Sequence, residues 1–278
     1  MAKGRKMKFG ITFSTFPTKF GPIVFSGENI KENLKIIKEL GYDGIDLFLH
    51  QIREKELENL RTTLNDFKLE ISLVAAIFLA EQGVNLSDSN KRNRLEAVEK
   101  FKKQIKIAGK LGGNMPLGFI RGNKEEDELE SIYQERLADS LKRLIDFANE
   151  KGVKLLLEPI NRYEINTFFR VDQSLEFIYK HGLDKIELLI DTFHMNIEES
   201  SIEGAIKMAG SKLGHVHITD SNRRAPGDGH LDYNSILKAI KDTGYNMFLT
   251  IEAFPIPSSY ECGKRGIEYL RNKLSNIG

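Results

Sequence analysis

Eight short apolar segments, separated by longer amphipathic ones, recur along the whole chain and constrain its fold more than any other feature. They are rich in β-branched residues, which favour strands, and several end on a polar residue. We predict strands at 8–13, 44–49, 70–77, 114–120, 153–158, 186–191, 214–219 and 247–252. The segments between them have helical periodicity. In the first, Leu34, Ile37 and Leu40 share one face and Gly41 follows as a favourable C-cap.

Strands that are apolar along their whole length and are each followed by a helix are typical of a parallel sheet covered by helices. Eight such units close into a (β/α)8 TIM barrel of about 250 residues, and this chain has 278. A doubly wound open sheet is the alternative, but no glycine-rich phosphate-binding loop follows the first strand. We therefore expect an α/β fold with a single barrel domain over residues 1–278, in which residues 1–6 form a disordered leader.

The charge balance argues against large anionic partners. Lys and Arg total 41 against 40 Asp and Glu, so the net charge of +1 provides no extended field of one sign. No apolar run reaches the roughly 18 residues needed to cross a bilayer, and the single cysteine, Cys262, allows no intramolecular disulfide. We expect a cytoplasmic protein that binds neither nucleic acid nor a membrane.

Four consecutive predicted strands each place a possible metal ligand near their carboxyl end. VKLLLE ends on Glu158, IELLID on Asp191 and MFLTIE on Glu252, and GHVHIT carries His217 near its end. In a barrel these ends meet at the same rim, where active sites are assembled. Three carboxylates and one imidazole suit a divalent cation such as Mn²⁺, Mg²⁺ or Co²⁺, with Zn²⁺ as an alternative. The competing explanation, a helix cap or local ion pair at each strand end, suits a single acid better than four.

Further polar residues follow the strand ends, in loops where substrate contacts belong. They are Glu164, His194, Arg223 and, after the fourth strand, Arg121. The guanidinium of Arg121 is a candidate for bidentate binding of a substrate carboxylate or phosphate, and a solvent-facing loop arginine is the alternative. His215 lies two residues before His217, so we expect it to point into the barrel one layer deeper.

The segments LEPINRYE, IDTFHMNIEE, HVHITDSNRRAPGDGHLDY and TIEAF closely resemble the sugar isomerase/epimerase family of xylose-isomerase-like barrels. Within that family they are most similar to ketose 3-epimerases of the D-tagatose 3-epimerase and 5-keto-L-gluconate epimerase type. The resemblance implies a divalent metal ion, with Mn²⁺ preferred, and a homo-oligomer, either a dimer or a tetramer. It implies these roles: metal ligands Glu158, Asp191, His217 and Glu252; substrate contacts Glu164, His194 and Arg223; and a sugar-facing wall that includes Phe13.

The implied reaction is epimerisation of a ketose or keto-sugar acid at C3 through an enediolate, with Glu158 and Glu252 as the acid/base pair. An aldose–ketose isomerase of the hydroxypyruvate isomerase kind is the alternative on the same site, and a non-catalytic sugar-binding barrel is a third reading. A DNA-repair endonuclease would need more metal ligands and a basic face, which the six histidines and neutral charge balance disfavour. Because the chain has no tryptophan, we expect an early-loop phenylalanine to cover the sugar: Phe16, Phe20 or Phe25.

Overall fold

The computed structural model describes residues 7–17 and 21–277, so the expected leader and Phe20 lie outside the described residues. The strands are β1 Lys8–Ser14, β2 Phe25–Ser26, β3 Gly44–Phe48, β4 Glu70–Ala75, β5 Met115–Leu117, β6 Leu155–Leu157, β7 Glu187–Asp191, β8 Leu213–Ile218 and β9 Phe248–Ile251. The helices are α1 Ile30–Glu39, α2 Glu54–Phe67, α3 Ile77–Glu81, α4 Lys91–Leu111, α5 Glu130–Glu150, α6 Val171–Lys180, α7 Thr192–Glu198, α8 Ile202–Ala209, α9 Tyr233–Asp242 and α10 Ser259–Asn276.

The strands form one parallel sheet in the order β4-β3-β1-β9-β8-β7-β6-β5, with β2 attached to β1 alone. The two ends of this order meet, since the Val74 N–H donates to the Asn114 carbonyl oxygen over 2.8 Å. The Asn114 N–H in turn donates to the Ser72 carbonyl oxygen over 3.0 Å. These two bonds join β4 to the residue before β5. The predicted TIM barrel is therefore confirmed, with eight parallel strands in the barrel itself.

Strand alternation separates the barrel interior from the surface that the helices cover. In β1, Phe9, Ile11 and Phe13 belong to the main hydrophobic core, which includes the buried Leu34 and Ile37 of α1. The side chains of alternate residues point to opposite faces of a strand, so the polar residues between these apolar ones face inward. Among the described helices, none combines the length and apolar composition needed to cross a lipid bilayer.

The predicted strand at 114–120 is too long. Only Met115–Leu117 are extended, and the chain then turns into a short 3₁₀ segment, Phe119–Arg121. A Cβ atom at Gly118, where the turn starts, would lie 2.9 Å from the Glu158 Oε2 atom. Glycine at this position leaves room for the carboxylate that follows β6, so the shape of the turn is tied to the functional end of the barrel.

Candidate active site

The four residues predicted as metal ligands lie together at the carboxyl end of the barrel. The Nδ1 atom of His217 is 3.4 Å from Glu252 Oε2 and 4.0 Å from Glu158 Oε1. One donor atom each from Asp191, His217 and Glu252 lies within 4.8 Å of the other two. All four side chains are buried, and His217 Nδ1 has no hydrogen-bond partner among the described residues. An unpartnered imidazole nitrogen surrounded by carboxylate oxygens fits a divalent metal ion.

The backbone explains why these side chains converge. Asp191 ends β7 and is also the N-cap of α7, where its Oδ1 atom accepts the Phe193 N–H over 2.8 Å. This cap leaves Oδ2 facing Arg223 and the other predicted ligands. Glu158 and Glu252 immediately follow β6 and β9, so both carboxylates leave the barrel at the same level.

The two glutamates have pKa values shifted in opposite directions. Burial raises the pKa of Glu158 from 4.5 to about 8, against the opposing charge of His217 and with further raising by Glu252. Burial also acts to raise the pKa of Glu252, but the charges of His217 and Arg223 outweigh it and lower that pKa to about 2. Before a metal ion binds, the surroundings therefore distinguish the two glutamates, and the carboxyl of Glu158 holds a proton more readily than that of Glu252.

Arg223 lies across the ligand group. Its Nη2 atom donates to Glu252 Oε2 over 2.9 Å and to Asp191 Oδ2 over 3.3 Å, and its Nη1 atom reaches Glu164 Oε1 over 3.3 Å. The guanidinium carbon stacks 4.6 Å from the centre of the Phe193 ring. These contacts place Arg223 and Glu164 beside the predicted ligands, as the sequence led us to expect.

Arg223 reaches this position from a loop with unusual backbone geometry. Its φ angle is +57°, a left-handed conformation that costs energy for a residue with a side chain. Asp220 stabilises the loop by accepting backbone N–H bonds from Ser221, Gly227 and Leu231, over 2.8, 2.8 and 3.2 Å. The Phe254 N–H also donates to the Arg223 carbonyl oxygen over 2.8 Å. The loop therefore holds the guanidinium in place through its backbone.

His194 is buried beside Asp191, and its hydrogen bonds assign its tautomer. The Tyr163 N–H donates to Asn161 Oδ1 over 3.0 Å, so the Asn161 amide nitrogen faces His194 Nδ1 at 2.7 Å. The same amide nitrogen donates to Glu164 Oε1 over 2.8 Å. His194 therefore accepts at Nδ1 and carries its proton on Nε2, which is 3.7 Å from Asp191 Oδ2. Burial and the charge of Arg223 hold the pKa of His194 well below its usual range, so the ring is neutral.

A cavity of about 340 Å³ opens directly above these groups. Its charged and imidazole side chains are gathered at one end, and the remaining wall is almost entirely apolar. That wall includes Phe48, Leu73, Ala75, Ala76, Ile77, Ala80, Phe101, Pro116, Phe119, Ile120, Ile160, Phe193 and Phe254. A pocket with convergent polar groups at one end and an apolar body is the usual form of a small-molecule site.

Arg121 does not join this group. Its side chain is fully buried, and its Nη1 atom donates to the Glu158 carbonyl oxygen over 2.6 Å, while Nη2 donates to the Thr167 carbonyl oxygen over 2.9 Å. Further bonds reach the carbonyl oxygens of Leu117 and Gly118. The predicted contact with a substrate anion is therefore corrected, because the 3₁₀ turn directs the guanidinium onto strand-end carbonyls and leaves it no exposed surface.

The predicted aromatic contacts also need correction. Phe13 is fully buried in the core that packs against the helices, on the strand face opposite the cavity. Phe25 is buried in the same core, and the ring of Phe16 packs at a 58° tilt against His50 with ring centres 3.9 Å apart, away from the cavity wall. The phenylalanines that line the cavity come instead from later elements, namely Phe48 of β3, Phe101 of α4, Phe119 of the 3₁₀ segment, Phe193 of α7 and Phe254 after β9. Sequence position near the first strand could not reveal which strand face Phe13 occupies.

The sequence analysis missed two residues that contact the predicted site residues, Asn161 and Asp46. Asn161 lies between two predicted site residues in EPINRYE, and that proximity was the available signal. Asp46 is a single acid inside the apolar strand GIDLF, where a buried carboxylate is costly unless it is well paired. Its partners are His215 and His217, both on β8. The expectation that His215 points inward below His217 is confirmed.

Comparison with known proteins agrees with this geometry. Residues 34–273 match the sequence profile described as xylose isomerase-like TIM barrel. The D-psicose 3-epimerase of Agrobacterium fabrum is 28% identical over 256 residues, which cover 89% of this chain and 85% of that protein. The 3-dehydro-D-guloside 4-epimerase of Escherichia coli is 26% identical over 233 residues, which cover 82% of this chain and 88% of that protein.

Structural comparison gives the same result over nearly the whole length. A solved structure of L-ribulose 3-epimerase has a TM-score of 0.85 and 25% sequence identity, and the match covers 98% of this chain and 95% of that one. The chain belongs to the xylose isomerase-like TIM barrel family. It is an isomerase of the epimerase type.

Proposed function

We propose that this protein is a metal-dependent sugar epimerase that inverts C3 of a ketose or keto-sugar acid through an enediolate. The observation that carries the proposal is the pair of buried glutamates, Glu158 and Glu252, which flank one group of metal-ligating atoms with pKa values shifted in opposite directions. Inversion beside a ketone needs one group to remove a proton and another to return a proton to the opposite face. The similarity to D-psicose 3-epimerase supports the choice of C3.

Glu158, Asp191, His217 and Glu252 would hold the metal ion, and their oxygen-rich donor set with one imidazole supports Mn²⁺. Such an ion acts as a Lewis acid that polarises the substrate carbonyl and makes the neighbouring C–H more acidic. The protein's own side chains carry out the proton transfers and supply the remaining hydrogen bonds.

Glu252 removes the C3 proton from one face of the sugar, and Glu158 returns a proton to the other face. The opposite epimer is processed with these roles exchanged. The Nε2–H of His194 and the guanidinium of Arg223 supply hydrogen bonds to the oxygens on which negative charge develops. Glu164 and Asn161 keep these two donors in position, through contacts of 3.3 Å to Arg223 and 2.7 Å to His194.

The wall opposite these groups suits the carbon skeleton of the sugar. Its apolar side chains provide contact area without fixing the hydroxyl groups by hydrogen bonds. With Arg121 occupied by backbone carbonyls, no observation favours an acid over a neutral ketose. We therefore expect a free neutral ketose to be turned over at least as well as the corresponding keto-sugar acid.

The test is proton exchange in D₂O. The Mn²⁺-loaded protein is incubated with a panel of ketoses, keto-sugar acids and a 3-keto-glycoside, and the products are separated and analysed by NMR. A C3 epimerase incorporates one deuterium at C3 of the product and none at C1. Label at C1 would instead identify an aldose–ketose isomerase, and label at C4 of the glycoside a 4-epimerase. Binding of a sugar without exchange at any carbon would contradict an enzymatic role.

A further inference from the structure

Asp46 is a buried carboxylate near the middle of β3 that the reaction described above does not use. It lies at the floor of the cavity and is 1% exposed. Its Oδ2 atom is 2.8 Å from His217 Nε2 and 2.9 Å from His215 Nε2. One carboxylate oxygen is therefore shared by two imidazoles that stand one above the other on β8.

The second oxygen of Asp46 is held just as firmly. Thr250 Oγ1, from β9, donates to Oδ1 over 3.2 Å, and the hydroxyl of Ser72 donates to the same atom. Ser72 lies at an irregularity in the β3–β4 pairing, between Ile71 and Leu73, and bulges of this kind redirect side chains. A Cβ atom at Gly10 would collide with the Thr250 hydroxyl. Side chains from three other strands thus fix both oxygens of this carboxylate.

This arrangement determines which nitrogen of His217 faces the site. Because the ionised Asp46 can only accept hydrogen bonds, His217 must carry a proton on Nε2. Its Nδ1 atom, which has no hydrogen-bond partner within residues 7–17 and 21–277, then points toward Glu252 and Glu158. A carboxylate bonded to the far nitrogen of a metal-ligating histidine sets its ring orientation and makes it a stronger ligand.

We propose that Asp46 is a positioning residue that fixes the orientation and Nε2–H tautomer of His217 and thereby sets the affinity of the site for its metal ion. The proposal rests on the metal site assigned above. It extends that site to β3, in the first half of the barrel, which supplies none of the four ligands assigned above.

His215 provides a matched control, because the molecule contains the same interaction twice. Its Nε2 atom donates to the same oxygen of Asp46 at nearly the same distance, and it is equally buried. It lies one layer deeper, outside the group formed by Asp191, His217 and Glu252. Loss of the His215 bond should therefore affect folding without weakening the metal site.

The experiment measures Mn²⁺ binding to the chelator-treated protein from the electron paramagnetic resonance signal of free Mn²⁺. The Asp46→Asn variant should raise the Kd for Mn²⁺ by about 10- to 100-fold, the usual effect of losing such a partner. The His215→Leu variant should keep the Kd within about threefold of wild type, even if its melting temperature falls. A wild-type Kd in Asp46→Asn, or equal weakening in both variants, would overturn the proposal.

A second measurement needs no variant and so does not depend on their folding. In the Zn²⁺-loaded wild-type protein, ¹⁵N NMR of the histidine rings should show His217 with its proton on Nε2. A proton on Nδ1 would contradict the proposed role of Asp46 without contradicting the proposed metal site. If wild-type protein binds no Mn²⁺ at all, the proposed function and this extension of it fail together.

Discussion

The two halves of the barrel contribute different things to the same cavity. Residues from β6 onward supply the predicted metal ligands and their neighbours, whereas the segments from β3 to β5 supply an apolar wall that includes Phe48, Leu73, Ile77 and Pro116. Asp46 is the exception, an acid from the first half that serves a histidine of the second. Under the proposed function, we expect the chemistry on the side of β6 to β9 and much of the fit of the substrate on the side of β3 to β5.

The largest expected effect lies in the chemical half. Replacing Glu158 or Glu252 by glutamine removes a proton carrier but keeps the side-chain shape, so each variant should lose kcat by a factor of about 10²–10⁴. The measurement is steady-state kinetics with metal content determined on the same samples. Glu164→Gln is the control, since Glu164 contacts Arg223 without flanking the ligand group, and it should lose less. A metal-loaded Glu252→Gln enzyme with near wild-type kcat would break the assignment.

Arg121 binds carbonyl oxygens at the ends of β5 and β6, where the two halves of the barrel meet. Its replacement tests whether its role is structural or lies in binding the substrate. Arg121→Ala leaves buried carbonyl oxygens at the ends of β5 and β6 without their donor, so we expect a loss of about 3 kcal/mol in the free energy of unfolding. Urea denaturation measures it, with Arg170→Ala, an exposed arginine paired with Asp172, as control. Activity that remains should fall equally for a keto-sugar acid and a neutral ketose. A selective loss of activity on the keto-sugar acid would instead show that Arg121 contacts the substrate.

A change in the apolar half should alter binding more than catalysis. Ile77→Ala removes part of the wall that faces the sugar, at a cost of about 1–2 kcal/mol in transition-state and ground-state binding alike. KM should therefore rise about 5- to 30-fold with kcat nearly unchanged, and the Kd for Mn²⁺ should stay at the wild-type value. A fall in kcat at constant KM would show that the two halves are not separable.

A further effect concerns pH and again distinguishes the charged half. Burial raises the pKa of Glu158 to about 8 and that of Asp191 to about 7, so at pH 6 both carboxyls hold protons that Mn²⁺ must displace. Mn²⁺ affinity should rise between pH 6 and 8, by up to about tenfold per pH unit for each proton released.

The same linkage predicts the stability of chelator-treated protein. Because these folded-state pKa values lie above the ordinary 4.5 and 3.8, the stabilising contribution is complete below about pH 4 and is lost as the pH rises through 7–8. Added Mn²⁺ should therefore raise the melting temperature more at pH 8 than at pH 6. Calorimetry with and without Mn²⁺ measures the difference, and an equal shift at both pH values would contradict the raised pKa of Glu158.

Strand periodicity and strand-end chemistry were enough to predict much of the chemical half. Asp191, His217 and the two glutamates are recognisable because each follows or ends a long apolar run, and the ends of parallel strands must share one edge. The apolar half offered no such signal. Its phenylalanines, leucines and alanines are the same residue types that fill any core, so nothing in the sequence separates cavity wall from buried interior.

The sequence by itself determined the alternation of strand and helix, hence the barrel, and the identity of the groups at its carboxyl end. Only the tertiary structure decided where individual side chains point. Arg121 turns inward because a 3₁₀ segment begins at Gly118, Phe13 faces the helices because of its place in the strand alternation, and Asp46 meets His217 across 171 residues of sequence. Periodicity is a local property that backbone geometry enforces. Pairings between distant residues depend on register and barrel closure, which no short stretch of sequence encodes.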